Sequence, residues 1–192
     1  MTYSIFIDGA AGTTGLQVAD RLAQHPGVVA RSLGTNQRKD NAARKQMMAD
    51  SDLTILCLPD AAAREAADMA AFTNTRVIDA SSAHRTHADW VYGFPELITG
   101  QRDAIAAAPR ISNPGCYPTG FLALTRPLIE ADILPRDALL SVPAVSGFSG
   151  GGNGMIAQQV DGALPAHSSY GVTLAHKHIP EMVAYAGLNT AP

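Results

Sequence analysis

Residues 113–120 read NPGCYPTG, and the apolar run FLALTRPLIEA follows them. Two prolines and two glycines hold Cys116 in the stiffest turn of the chain. RISN (110–113) reads as a strand, and Pro118 suits the first turn of a helix. Cys116 therefore falls at or just before a helix N-terminus, where the positive end of the helix favours a thiolate. Gly115 permits close backbone approach, and nearby N–H groups suit an oxyanion. That is the chemistry of a positioned nucleophile. A covalent thiol also needs a proton donor and acceptor. YGVTLAHKHIPEM (170–182) supplies His176 and His178, which share one face if the segment is extended. Either is a candidate acid–base. The spacing would also suit a metal pair, but no third ligand is evident, so no metal is expected.

Two glycine-rich loops offer binding chemistry. GAAGTTG (9–15) spaces Gly9, Gly12 and Gly15 three apart, with Ala11, Thr13 and Thr14 between them. Glycines allow a tight turn and the approach of backbone to a pyrophosphate, and a helix opening near Gly15 adds N–H groups and a positive dipole end. The spacing is not G-x-G-x-x-G, and such turns also occur without a nucleotide. Its place after a first strand is what points to a dinucleotide. The second strand leads into GTNQRKD (34–40), with no acid close behind it to pair with ribose hydroxyls. Arg38 and Lys39, with Thr35 and Asn36, suit a 2′-phosphate instead, so NADP is expected over NAD. The plain alternative is a solvated basic loop. SGFSGGGNGM (146–155) can let a substrate near the backbone, or be a surface loop. DASSAHR (79–85) sets Ser81, Ser82 and Arg85 after the fourth strand, with anion-binding chemistry.

Strands alternating with helices must position these groups. YSIFID (3–8), VVARSLG (28–34), LTILCLP (53–59) and RVIDASS (76–82) read as strands. Residues 15–27, 40–50 and 60–72 read as helices, the first with Leu16, Ala19, Leu22 and Ala23 on one face and the last with Asp60 as N-cap. The order predicts an α/β fold: a Rossmann-like parallel sheet with crossover helices over residues 1–115, then the first part of an α+β catalytic domain over 116–192. Cys57 lies inside an apolar run and reads as an inert core thiol.

Bulk properties narrow the class. The 192 residues are 46% hydrophobic and 16% charged, a globular composition able to bury a core. A net charge of −3 offers no basic field for nucleic acid or membrane. The N-terminus shows no basic stretch or cleavage signature, and no apolar run is of membrane-spanning length. A cytoplasmic protein with two reduced cysteines is the expectation.

Taken in order, GAAGTTG, DASSAHR, YGFPEL, NPGCYPTG, SGFSGGGNG and HKHIPEM resemble N-acetyl-gamma-glutamyl-phosphate reductase in its shorter sequence type, within the semialdehyde dehydrogenase superfamily. The resemblance covers essentially the whole chain. It implies NADPH-dependent reduction of an acyl phosphate to a semialdehyde in arginine biosynthesis, in a homo-oligomer. Cys116 would attack N-acetylglutamyl 5-phosphate, expel phosphate and hold a thioester. His178, preferred, or His176 would protonate the oxyanion. Ser82, Arg85, Asn113 and the loop Ser149, Gly150, Gly151 would contact the substrate or its phosphate. Two departures stand out. Asn153 occupies a position that is usually basic in that family, which would weaken phosphate binding. Family members also run on for roughly a hundred residues, about one further domain. A C-terminally truncated catalytic domain with unpaired strand edges and exposed core is therefore expected. The same chemistry on aspartyl or aminoadipyl phosphate, and an inactive NADP-binding fragment, are the alternatives.

Overall fold

The apolar segment YSIFID forms β1 (Tyr3–Asp8), an interior strand of the sheet in the computed structural model, which describes residues 2–10 and 12–192. β2 (Val28–Arg31), β3 (Leu53–Leu56), β4 (Arg76–Asp79), β5 (Val91–Tyr92) and β6 (Arg110–Ser112) complete it. The spatial order is β2-β1-β3-β4-β6-β5, and every pairing is parallel. The register sets Ile5 opposite Leu53 and Leu53 opposite Arg76. The chain leaves β1 to one side for β2 and returns to the other for β3, so the topological switch lies between the carboxyl ends of β1 and β3.

α1 (Thr13–Ala23), α2 (Asn41–Ala49) and α3 (Asp60–Ala70) are the crossovers. Asp40 caps α2, its side chain accepting from the Ala42 and Ala43 amides at 2.9 and 3.3 Å. α3 buries Ala63, Ala66, Ala67 and Ala70, a stripe at helical spacing. It packs into a core with Phe6, Met48, Leu56, Val77 and Trp90. Two expectations change here. Leu16 is 53% exposed and Ala23 is exposed, so α1 turns Val18, Ala19 and Leu22 inward instead; it lies over the edge strand β2, where there is less sheet to cover. Asp60 is the first residue of α3, and Pro59, in extended backbone, is the cap. The Asp60 carboxylate accepts instead from the amide and hydroxyl of Ser82, at 3.0 and 2.7 Å.

Two compact units result. One takes the chain up to Tyr92 together with Ala107–Asn113 and contains the whole sheet. The other comprises Gly93–Ala106 and Pro114–Pro192. β5 and α4 (Gln101–Ala107) had no sequence signal: two residues are too few to show a period, and Gly93 and Pro95 break up the stretch between the two elements.

The second unit holds α5 (Cys116–Glu130), a 3₁₀ turn (Phe148–Gly151), α6 (Gly152–Val160) and α7 (Ile179–Ala186). α5 and α7 pack together, burying Phe121, Leu122 and Ile129 with Met182, Ala186 and Leu188. Among the described residues this unit has no strand. Residues 138–147 and 163–171 are irregular. Leu139, Val145, Val172 and Leu174 are 88, 99, 76 and 80% exposed. No helix among the described residues is long and apolar enough to cross a membrane.

Candidate active site

At the switch point the chain leaves β1 through a turn built around Gly9. Gly9 has φ +91°, and a Cβ there would lie 2.3 Å from the Cys57 carbonyl oxygen. A Cβ on Gly15 would come within 2.5 Å of the Gly9 carbonyl oxygen and 2.6 Å of Ala10 Cα. Glycine is required at both positions by backbone packed against backbone. Gly12 is different: its nearest neighbour would be 3.5 Å away. It caps α1, donates to the Gly9 carbonyl at 3.1 Å and accepts from the Leu16 amide at 3.0 Å. Thr13 opens α1 and Thr14 is exposed on it, whereas Ala11 lies outside the described residues. The result is a narrow cradle ending in a helix N-terminus, which fits a pyrophosphate. Arg38 and Lys39 are exposed in the turn after β2, and an open hollow of about 590 Å³ lies beside Gly34, Thr35, Asn36 and Gln37.

Beneath the cradle Asp8, the last residue of β1, pairs with Arg44 of α2 through Nη2 and Nε at 2.8 and 3.1 Å. Both side chains are buried. Burial raises the Asp8 pKa from 3.8, and the Arg44 hydrogen bond and charge only partly oppose it. A raised folded-state pKa means that this carboxyl favours folding most fully below its unfolded value and that the contribution is lost as pH rises through the folded value. Arg44→Ala, which leaves the carboxylate unpaired, is expected to cost about 3–5 kcal/mol at neutral pH. The loss should shrink on acidification as Asp8 takes up a proton. Urea unfolding of both chains across that pH range measures it, and a loss that grew toward acid would contradict the assignment.

The carboxyl end of β4 carries a second scaffold. Asp79, fully buried, accepts from the Ser81 amide and hydroxyl at 2.8 and 2.7 Å and lies 2.6 Å from His84 Nδ1. The His84 ring stacks on Trp90, with centroids 4.1 Å apart. Sequence inspection named neither His84 nor Trp90; no local pattern announces a contact that closes only across a loop. Ser82 is held by the Asp60 carboxylate. Arg85 is buried, with Nε on the Asn113 carbonyl at 3.0 Å and Nη2 on the Ala80 carbonyl at 3.2 Å. The structure thus brings Ser82, Arg85 and Asn113 to one edge of the sheet, where the hydrogen bonds of Ser82 and Arg85 run to the protein's own groups.

In the second unit Cys116 is the first residue of α5, exposed, with Gly115 as its extended cap. Pro118 lacks an N–H, leaving the amides of Cys116 and Tyr117 as first-turn donors. His176 and His178 lie in a turn, with His178 capping α7, and not on a strand as expected. The Ile179 amide bonds back to the His176 carbonyl at 3.0 Å, and Pro180 favours helix immediately afterwards. The two rings still meet, with centroids 4.6 Å apart. Each lies 5.9 Å from the Tyr117 ring. The His178 amide donates to His176 Nδ1 at 3.2 Å, which leaves the proton of a neutral His176 on Nε2. His178 is buried and His176 half-buried. The hydroxyls of Tyr117 and Tyr170 are in hydrogen-bond contact. That contact, the largest cause, pushes Tyr170 up to about 12, with a Ser146 hydrogen bond opposing it. Sequence reasoning missed both tyrosines; Tyr117, flanking the cysteine, was the available signal. Ser149, Gly150 and Gly151 lie exposed in the 3₁₀ turn, and Asn153 is the second residue of α6. Among the described residues no group of three or more His, Cys, Asp or Glu is placed to hold a metal ion.

The two thiols differ. Cys57 is half-buried, and burial, with the charges of Asp79 and Asp8, pushes its pKa up to about 11. Iodoacetamide near neutral pH is expected to add a single label, at Cys116, read by intact and peptide mass. Equal labelling of Cys57 would contradict this.

Comparison with known proteins matches two family models, and residues 93–106, which pack with the second unit, fall within the first of them. A family model described as semialdehyde dehydrogenase, NAD binding domain, matches residues 4–108. A second, semialdehyde dehydrogenase, dimerisation domain, matches 116–191. The chain is 51% identical to an N-acetyl-gamma-glutamyl-phosphate reductase of Burkholderia ambifaria, over 98% of this chain and 61% of that protein. It is 48% identical to one of Brucella anthropi, over 100% and 64%. It thus spans less than two thirds of the length of these curated relatives. Aspartate semialdehyde dehydrogenase II of Vibrio cholerae shares the fold, with a TM-score of 0.65 at 14% identity over 98% of this chain and 67% of that one.

Proposed function

The chain belongs to the semialdehyde dehydrogenase family, and from that premise we propose that its residues are built to reduce N-acetylglutamyl 5-phosphate to N-acetylglutamate 5-semialdehyde and phosphate, the arginine-biosynthetic step. One observation carries the proposal: an exposed thiol on the first residue of a helix, in the same unit as a contacting histidine pair. The substrate is taken from the names of the relatives.

Cys116 Sγ attacks the acyl carbon. The carbon–oxygen bond to phosphate breaks, and a thioester remains on the enzyme. NADPH, when bound, supplies hydride to reduce that acyl carbon. The amides of Cys116 and Tyr117 are oriented to stabilise the oxyanion. One of the His176/His178 pair delivers a proton to it; the same imidazole then takes the hydroxyl proton back as the carbon–sulfur bond of the thiohemiacetal breaks, releasing the aldehyde and the thiolate. His178 is the preferred acid; His176, whose neutral form carries its proton on Nε2, is its alternative.

The dinucleotide is held by the cradle of Gly9, Gly12 and Gly15 with Thr14, and Ala11 and Thr13 belong to the same stretch of sequence. Arg38 and Lys39 select NADP; their cationic turn, without an acid close behind β2, supports the choice. Ser149, Gly150 and Gly151, exposed, are contacts for the substrate or its phosphate, and Ser82 is a further one. Arg85 contributes by holding the Asn113 carbonyl. The dimerisation-domain match supports a homo-oligomer, and reduced thiols fit a cytoplasmic setting.

The test is the reverse reaction: the 192-residue chain with NADP, phosphate and N-acetylglutamate semialdehyde, monitored by NADPH absorbance. Turnover with this aldehyde and not with aspartate semialdehyde is the expected result. A second outcome, NADP binding without turnover, is favoured by the exposure of Leu139, Val145 and Val172. It would identify the chain as a dinucleotide-binding piece whose catalytic unit needs further cover.

A further inference from the structure

We propose that Glu181 is a positioning residue for Cys116, holding the nucleophile's turn through the Gly115 amide. The Gly115 N–H donates to Glu181 Oε2 at 3.0 Å. Glu181 is 1% exposed, and Gly115 is buried as well. Gly115 caps α5 from outside the helix, with φ −68° and ψ 153°. Its carbonyl accepts from the Thr119 amide and hydroxyl, at 3.0 and 2.8 Å, but its own N–H cannot join the helical ladder. Burying that donor without an acceptor would be costly, so the carboxylate specifies the conformation of the residue just before Cys116. Glu181 also lies in the first turn of α7, which His178 caps. One side chain therefore ties the histidine turn to the cysteine turn.

The proposal rests on Cys116 as the nucleophile, but its test does not need turnover. The rate of Cys116 alkylation by iodoacetamide is measured in the whole chain, with Cys57 silent because burial keeps its thiol protonated. Glu181→Ala is expected to slow alkylation about tenfold, because the cap is released and the first turn of α5 frays. Glu181→Gln retains an acceptor oxygen and should restore a rate within about twofold of the parent. Met182→Ala, a buried neighbour on α7 without a bond to the turn, should lower Tm and leave the rate unchanged. The proposal is overturned if Gln is as slow as Ala, if Met182→Ala slows labelling equally, or if both Glu181 variants label faster, as loss of a nearby negative charge alone would cause. Should Glu181→Ala not fold, hydrogen exchange at Gly115 decides: protection in the parent and the Gln variant supports the proposal, and rapid exchange in either sinks it. Because alkylation reports the thiol and not the reaction, failure of the reductase assignment would leave these outcomes readable.

Discussion

Cys116→Ser is expected to lower turnover by about three orders of magnitude or more while leaving NADP binding unchanged. A serine hydroxyl at the first position of α5 preserves the helix, since serine is well tolerated there, and preserves the amides of Cys116 and Tyr117. What it removes is a group that ionises readily and leaves readily from a thioester. The same variant should abolish iodoacetamide labelling near neutral pH, because the Cys57 thiol is held protonated by burial. The two readouts separate the possible failures. Labelling lost with turnover retained would mean that Cys116 is reactive but not the nucleophile. Turnover absent from both chains, with labelling present in the parent alone, would mean that the residues are poised and the chain lacks something else that catalysis needs.

Gly9→Ala is the second large effect. It should destabilise the chain by about 2–4 kcal/mol, adding the cost of a left-handed residue to that of an overpacked contact. The added Cβ would lie 2.3 Å from the Cys57 carbonyl oxygen and 2.8 Å from its carbon, with φ at +91°. Backbone cannot yield there, because the Cys57 amide is itself bonded to the Asp8 carbonyl at 2.8 Å, continuing the β1–β3 ladder. NADP affinity should fall with stability, since the displaced turn is the cradle. Gly12→Ala is the internal control: it has an ordinary φ of −79° and no close neighbour, and should cost less than about 1 kcal/mol. Urea unfolding and NADP titration of the three chains decide between a geometric requirement at Gly9 and a general preference for glycine. Equal effects at Gly9 and Gly12 would rule out the first.

The chemistry was legible in the sequence because it is written in short, contiguous stretches. NPGCYPTG announces a helix start, and α5 begins at Cys116 itself. The strands at 3–8, 53–56 and 76–79 arise from apolar runs too short for helices and bounded by turn residues. GAAGTTG is a tight turn in any context, and at Gly9 and Gly15 the backbone contacts show why. Less accessible was anything that depends on a partner distant in the chain. Asp60 reads as a cap until Ser82, 22 residues away, occupies its carboxylate. HKH reads as alternating strand until the proline after it starts α7. Leu16 looks like core until the edge position of β2 leaves it uncovered.

By itself, then, the amino-acid sequence determined residue identity, local backbone preference and the order of elements, and with these the fold class. Only the tertiary structure decided which buried charge meets which partner: Asp8 with Arg44, Asp79 with His84, and Glu181 with an amide 66 residues away. The physical reason is range. Turn and helix signals act over a few residues, whereas a buried carboxylate is tolerated only where folding delivers a donor to it. No local pattern encodes that delivery.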